Sequence, residues 1–342
     1  MSFCHNAAMR KRFRIAVAIL CVAILAGIAW VFVPPTQPAG PEPVYKGRPV
    51  SVWVSEIWMA NEEENPQFKE VVAIGEPAVP YLIKRLKDPR PFYARNQIYM
   101  KLWQSTPMWL RKRMSDPRLS GPKQERAQIS SALVEVLGRI GPPAKAAVPE
   151  LIRIVKDKDV PGWTRATAIS ALRRIGPAAK PAVPALLARL KDDHLRGRRQ
   201  YFDLYGPNYD STADNWDLIQ RGEAALTVAC LDPSNSQAIK LIWPLLDATN
   251  ASTRAYGAVA LWRLQPDPGI QRIVEDHLRD SDWSLRFNTV LGLKQIGKPA
   301  ESFVPLLTKV RDETNPTNML WSVLDNAIKA VHSTVADGAA VK

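Results

Sequence analysis

The chain has 342 residues, 46% of them hydrophobic and 23% charged, and carries a formal net charge of +13. Its three cysteines exclude a disulfide-built scaffold, and its four histidines leave few candidates for metal or proton-transfer chemistry. A basic excess of this size draws anionic partners by long-range attraction.

Residues 1–14 read as a cytoplasmic tail containing Arg10, Lys11, Arg12 and Arg14. Residues 15–33 come next as 19 uncharged, mostly apolar positions. As a helix they span roughly 28 Å, close to a hydrocarbon core of about 30 Å, which predicts a transmembrane signal-anchor. The preceding cations put the N-terminus in the cytoplasm and everything after Val33 outside, in a periplasmic or extracytoplasmic space. Trp30 and Phe32 fall where an interfacial aromatic belt belongs. The rival reading is a cleaved signal peptide, because Gly27-Ile28-Ala29 resembles a small-x-small site, although the apolar run continues past it. Cys4 is then cytoplasmic and Cys21 lies in the membrane, so Cys230 is the lone external thiol and reads as core.

Residues 34–49 hold Pro34, Pro35, Pro38, Pro41, Pro43 and Pro49, which predicts a stiff, extended linker. The next element is expected to begin at Trp53 and to cap the repeat region. A repeated phrase then dominates the chain. Ile140-Gly141-Pro142-Pro143-Ala144-Lys145 runs on to Val148-Pro149, and Ile175-Gly176-Pro177-Ala178-Ala179-Lys180 to Val183-Pro184. Ile296-Gly297-Lys298-Pro299-Ala300 leads to Val304-Pro305, and a shortened copy runs from Ile74-Gly75 to Val79-Pro80. Each phrase reads as one helix closed by a left-handed glycine, a proline stop, and a second helix opening with proline in its first turn. Ten residues before the closing position stand Arg165, Arg221, Arg254 and Arg286, each succeeded by an apolar stripe such as Ile169, Leu172 and Ile175. Two further units without the Ile-Gly close at Leu231 and Leu264. The six closing positions, Ile74, Ile140, Ile175, Leu231, Leu264 and Ile296, define a solenoid of stacked helical hairpins over residues 50–335, with a disordered tail at 336–342.

On the I-G-x-x-A…V-P frame and the recurrent first-helix arginine, this region resembles the HEAT-repeat family, in particular the short bacterial type related to phycobilisome-lyase HEAT-like repeats. The resemblance implies an all-α fold, an α-solenoid of about six HEAT-like hairpins, which the apolar run at 15–33 precedes as one N-terminal transmembrane helix. It also implies that Arg165, Arg221, Arg254 and Arg286 form a structural ladder with aspartates of neighbouring turns, for which Asp157, Asp159, Asp247, Asp280 and Asp282 are placed. About function the frame is nearly silent.

Two insertions break the spacing, near residues 88–119 and 194–216. The first holds Tyr93, Tyr99, Trp103, Trp109, Arg111 and Arg113, and the second Arg196, Arg198, Arg199, Tyr201 and Tyr205. Insertions in repeat arrays gather on one face, and Tyr, Trp and Arg dominate interface hot spots, so these residues form the candidate protein-binding surface. The alternative is that the aromatics pack the insertions onto the solenoid. A second candidate is a basic ridge on the second helices through Lys84, Arg153, Arg189 and Lys309. The competing reading of that row is the ordinary preference for cations near helix C-termini.

No His-Glu dipeptide, Cys-x-x-Cys, G-x-S-x-G, His-Glu-x-x-His or phosphate-cradling Gly-Lys-Ser/Thr occurs. The expectation is therefore a non-enzymatic, membrane-anchored scaffold without cofactor or metal, binding protein partners at the outer face of the cytoplasmic membrane. The alternatives are an envelope binder of an anionic polymer or lipid headgroup and, further off, a lyase-type enzyme. Nucleic acid is not expected as a partner if the repeats face outward.

Overall fold

A computed structural model of the chain describes residues 42–57, 66–87, 105–107, 122–191 and 210–333. The chain divides into two compact units, Met1–Pro43 with Phe92–Ser115, and Val44–Pro91 with Asp116–Lys342. Of the first, only residues 42–43 and 105–107 are described, so all the named elements belong to the second. Among the described residues no helix is long and apolar enough to cross a membrane, and the span expected at 15–33 lies outside them.

The second unit opens with a hairpin, β1 (Val44–Tyr45) against β2 (Arg48–Pro49), paired Val44 to Pro49 and Tyr45 to Arg48. This corrects the extended linker expected up to residue 49. Lys46 and Gly47 both take positive φ, 48° and 76°, and close a two-residue turn that proline content does not forbid. Helix α1 (Val50–Ser55) starts immediately after it, so Trp53 sits mid-helix rather than at the start. Trp53 donates from Nε1 to the Tyr45 carbonyl at 3.1 Å and lies under the Arg48 guanidinium, 4.5 Å from the ring centre. The hairpin is thereby pinned to the first helix.

Six helical hairpins make up most of the described residues: α2 (Pro66–Ile74) with α3 (Val79–Lys87), α4 (Pro122–Ile140) with α5 (Val148–Lys156), and α6 (Gly162–Ile175) with α7 (Val183–Lys191). Then come α8 (Asp210–Leu231) with α9 (Ser236–Ile242), α10 (Ala251–Leu264) with α11 (Pro268–Arg279), and α12 (Trp283–Ile296) with α13 (Val304–Glu313). The six first helices end on the six expected closing residues, and the four Val-Pro phrases open second helices. Helix α8 starts at Asp210, so the second insertion gives its last residues to a long first helix.

The Ile-Gly turn departs from the expected left-handed cap. Gly75, Gly141, Gly176 and Gly297 have φ between 63° and 77°, but ψ lies between −132° and −145°, a region open in practice only to glycine. Gly297 N–H still closes its helix on the Leu293 carbonyl at 3.2 Å, and its own carbonyl accepts from Ala300 at 2.8 Å. That second bond starts a short 3₁₀ segment, Lys298–Phe303, which delivers the chain into α13. The alanine of the phrase, Ala78, Ala144, Ala179 or Ala300, is fully buried at each turn. The two units without glycine turn by side-chain caps instead. Asn235 accepts from the Ala238 N–H, and Asp267 from those of Gly269 and Ile270.

First helices stack side by side in the order α4, α6, α8, α10, α12, and each second helix packs on the first helix of the following unit. The approach is close: a Cβ added at Gly222 of α8 would lie 2.9 Å from the Thr253 Cα of α10. The apolar stripes meet between these layers as one continuous core from Val50 to Val331. A seventh first helix, α14 (Met319–His332), stacks on α12. Its buried Leu320, Leu324, Ile328 and Val331 stand 35 positions after Leu285, Thr289, Leu293 and Ile296.

A side chain at Gly297 would meet nothing within 4 Å, so substitution there tests backbone conformation alone. Gly297→Ala is expected to destabilise the array by about 1–3 kcal/mol, read as a lower urea midpoint with unchanged native helicity.

Candidate functional site

The eleven residues of the candidate binding surface, Tyr93, Tyr99, Trp103, Trp109, Arg111, Arg113, Arg196, Arg198, Arg199, Tyr201 and Tyr205, lie outside the described residues. The basic ridge can be placed, and it is not an open row. Lys84 and Lys309 are exposed, Lys309 with Glu313 at 3.9 Å. Arg153 is held between Glu150 at 2.8 Å and Asp157 at 3.1 Å. Arg189 is buried and ion-paired with Asp217 of the next first helix, α8. The neighbouring arginines behave like Arg189. Arg85 donates to the carbonyls of Val54 and Ile57 at the end of α1, and Arg311 reaches Asp325 of α14 at 3.5 Å. Arg85, Arg189 and Arg311 thus tie neighbouring elements together, while Arg153 is held within its own unit. The macrodipole explains why arginine is favoured there, but for Arg85, Arg189 and Arg311 a neighbouring element supplies the partner.

The arginine ladder is present in altered form. Arg165 donates to the carbonyls of Asp157 and Lys158, both at 3.3 Å, and across to Gln220 Oε1 of α8 at 2.9 Å. Arg254 donates to the carbonyls of Ala248 and Thr249 and lies 3.6 Å from Asp282 of the next unit. Both arginines therefore fasten the preceding turn by its backbone and reach forward to a polar side chain. At Asp157 it is the carbonyl that accepts from Arg165, while the carboxylate accepts from Arg153. Arg221 holds the same register in α8, and Arg286 holds it in α12, where its Nε is buried without a partner.

One polar cluster lies beyond the expected ladder. Arg173, on α6, donates to Glu223 Oε2 at 2.6 Å and Thr227 Oγ1 at 3.0 Å, both on α8, and to Ser170 Oγ at 3.1 Å. The Arg173 side chain is 6% exposed and that of Glu223 14%. Burial opposes the charge on Arg173, and the facing Glu223 more than offsets it, holding the guanidinium charged. Tyr256 of α10 is buried nearby, and its hydroxyl is pushed up chiefly by burial and then by Glu223. Cys230 packs against this region half-buried, not in the fully enclosed position expected of it. The periodic pattern marks Arg173 and Glu223 as helix-end and helix-face polars, and only the stacking of α6 on α8 brings them together. Lys180 adds a bridge to Asp232 at 3.2 Å between the turns of the same two units.

His277, in the last turn of α11, has a buried Nδ1 with no hydrogen-bond partner. Burial, and then the Arg254 charge, lower its pKa below the ordinary 6.5, outweighing Asp280 and Asp276. Among the described residues no group of His, Cys, Asp or Glu is arranged to hold a metal ion.

Removing one member of the buried pair leaves the other charge uncompensated. Glu223→Ala is expected to cost about 3–5 kcal/mol in chemical denaturation, with most of the loss recovered when Arg173→Leu and Glu223→Leu are combined. His277 is neutral in the folded state and protonates more readily when unfolded, so it stabilises above pH 6.5. The melting temperature should fall as pH drops through 6.5 toward the lowered folded pKa, and His277→Gln should flatten that dependence.

The family model for HEAT repeats matches residues 119–201, which span α4 to α7. Among solved structures, the complex of CpcE and CpcF of phycocyanin lyase from Nostoc sp. PCC7120 is similar, with 18% identity and a TM-score of 0.45. The match covers 87% of this chain and 99% of that one. No curated protein matches the chain in sequence. The two hairpins within residues 119–201 are HEAT-like repeats.

Proposed function

We propose that this protein is a non-enzymatic scaffold, anchored by residues 15–33, that holds other proteins at the outer face of the cytoplasmic membrane through its HEAT-like repeats. The observation that carries the reading is the fate of the buried charged groups. Arg165, Arg173 and Arg189 are all taken up by pairing between neighbouring units. Such an array is a rigid support whose work is done by what it displays. The two insertions supply the display, being rich in tyrosine, tryptophan and arginine. The anchor rests on the apolar run at 15–33 and the four cations before it.

The polyanion reading loses part of its support, since Arg153 and Arg189 are engaged by carboxylates. What favours it still is the overall charge of +13. In-cell crosslinking of the full-length protein, with affinity capture and mass spectrometry, separates the two. The scaffold reading expects one abundant envelope protein crosslinked through the insertions. Replacing Trp103, Trp109, Arg111 and Arg113 with alanine should abolish its capture without changing helicity. Capture that survives the substitution sinks the claim for that insertion, and lipid or acidic glycan lost at high salt would point to the polyanion.

A further inference from the structure

The ladder breaks at its last step, between α12 and α14. Arg286 stands in the register of Arg165 and Arg254, yet it makes no hydrogen bond or ion pair among the described residues, and its Nε is buried without a partner. The sequence of α14 explains this. Leu320 occupies the position of Gln220, the acceptor for Arg165, and Thr317 the position of Asp282, which faces Arg254. The two carboxylates that precede it in the chain are already engaged. Asp280 accepts from the Asp282 N–H at 2.7 Å, while Asp282 accepts from those of Ser284 and Leu285 and faces Arg254. A half-buried guanidinium is left with its cross-repeat acceptor missing.

Beside it the surface changes character. Trp283 and Phe287 stack with ring centres 4.7 Å apart and planes 18° apart. Phe287 holds the register of Gly222, the residue whose missing side chain lets α8 approach α10. Bulk therefore replaces the small residue on the side of α12 that faces α14. Trp283 remains 41% exposed, and Met319, the first residue of α14, is 57% exposed. A cation lacking an anion, three residues along α12 from the exposed Trp283, fits a ligand that offers both a carboxylate and a flat or branched side chain.

We propose that Arg286, Trp283 and Met319 form a docking site for a partner protein's short segment carrying an Asp or Glu next to an aromatic or large aliphatic residue. The carboxylate takes the place left empty by Leu320 and Thr317, and the apolar side chain covers Trp283. This deepens the scaffold reading and rests on it only in that the occupant is a protein, because its three residues belong to neither insertion.

The test uses the full-length protein labelled with 5-fluorotryptophan and read by ¹⁹F NMR, with the Trp283 resonance assigned from Trp283→Phe. The probes are two capped peptides, acetyl-Gly-Phe-Asp-Phe-Gly-amide and its Asn counterpart. The Asp peptide should shift the Trp283 resonance saturably, and the Asn peptide should bind at least tenfold more weakly. Arg286→Gln should bring the Asp peptide down to the Asn level while the resonances of the other ten tryptophans stay in place, which shows the variant folded. Equal affinity for the two peptides, no movement of Trp283, or undiminished binding to Arg286→Gln overturns the proposal. A shift seen only after residues 334–342 are removed would assign the site to the chain's own tail and overturn it equally. The insertion variants leave this titration unchanged, so its failure is separable from failure of partner capture.

Discussion

The side-by-side stacking of the first helices is the constraint on which the remaining structure depends. At the Gly222–Thr253 approach the helices come so near that a single methyl group meets backbone. At that spacing the apolar stripes of successive units share one core, so no hairpin has to bury its own face alone. Each second helix then lies on the first helix of the following unit, and the turn that leads into it can be short. Glycine makes it short in four units, through a conformation denied to other residues, and capping asparagine or aspartate does so in the other two.

Polar groups register the stack. Apolar stripes alone would tolerate sliding by a turn, whereas Arg165 on Gln220 and Arg173 on Glu223 fix one alignment of α6 on α8. Among the described residues four such pairs gather at the junction between the third and fourth hairpins, Arg189–Asp217 and Lys180–Asp232 being the other two. The second insertion lengthens the chain between these same two units. Closing a longer loop costs more entropy, and the added pairs act where that cost falls.

Much of the fold is legible in the sequence because its signals are local. A helix stop and a proline-led start sit within ten residues of one another, and all six closing positions mark helix ends. The seventh first helix, α14, escapes the pattern because its local marks are gone: His332 stands where glycine would, and Trp321 replaces the ladder arginine. The basic ridge misleads for the opposite reason. Arg85, Arg189 and Arg311 look like solvated helix ends within their own helix, and the groups that engage them lie on α1, α8 and α14. Likewise the proline count at residues 34–49 hides a Lys-Gly turn. Sequence periodicity reports on a unit by itself, while the candidate sites arise between units.

The crowding of cross-links at one junction gives the array uneven stiffness. Between the third and fourth hairpins both layers are bridged by charged or amide groups, whereas Arg254 meets Asp282 at 3.6 Å across a partly open surface. Under a pulling load the first of these joints behaves as a splint and the later one as a compliant coupling. Strain introduced at either end would then collect in the C-terminal half, where the fifth and sixth hairpins flex first and the third and fourth move as a single block.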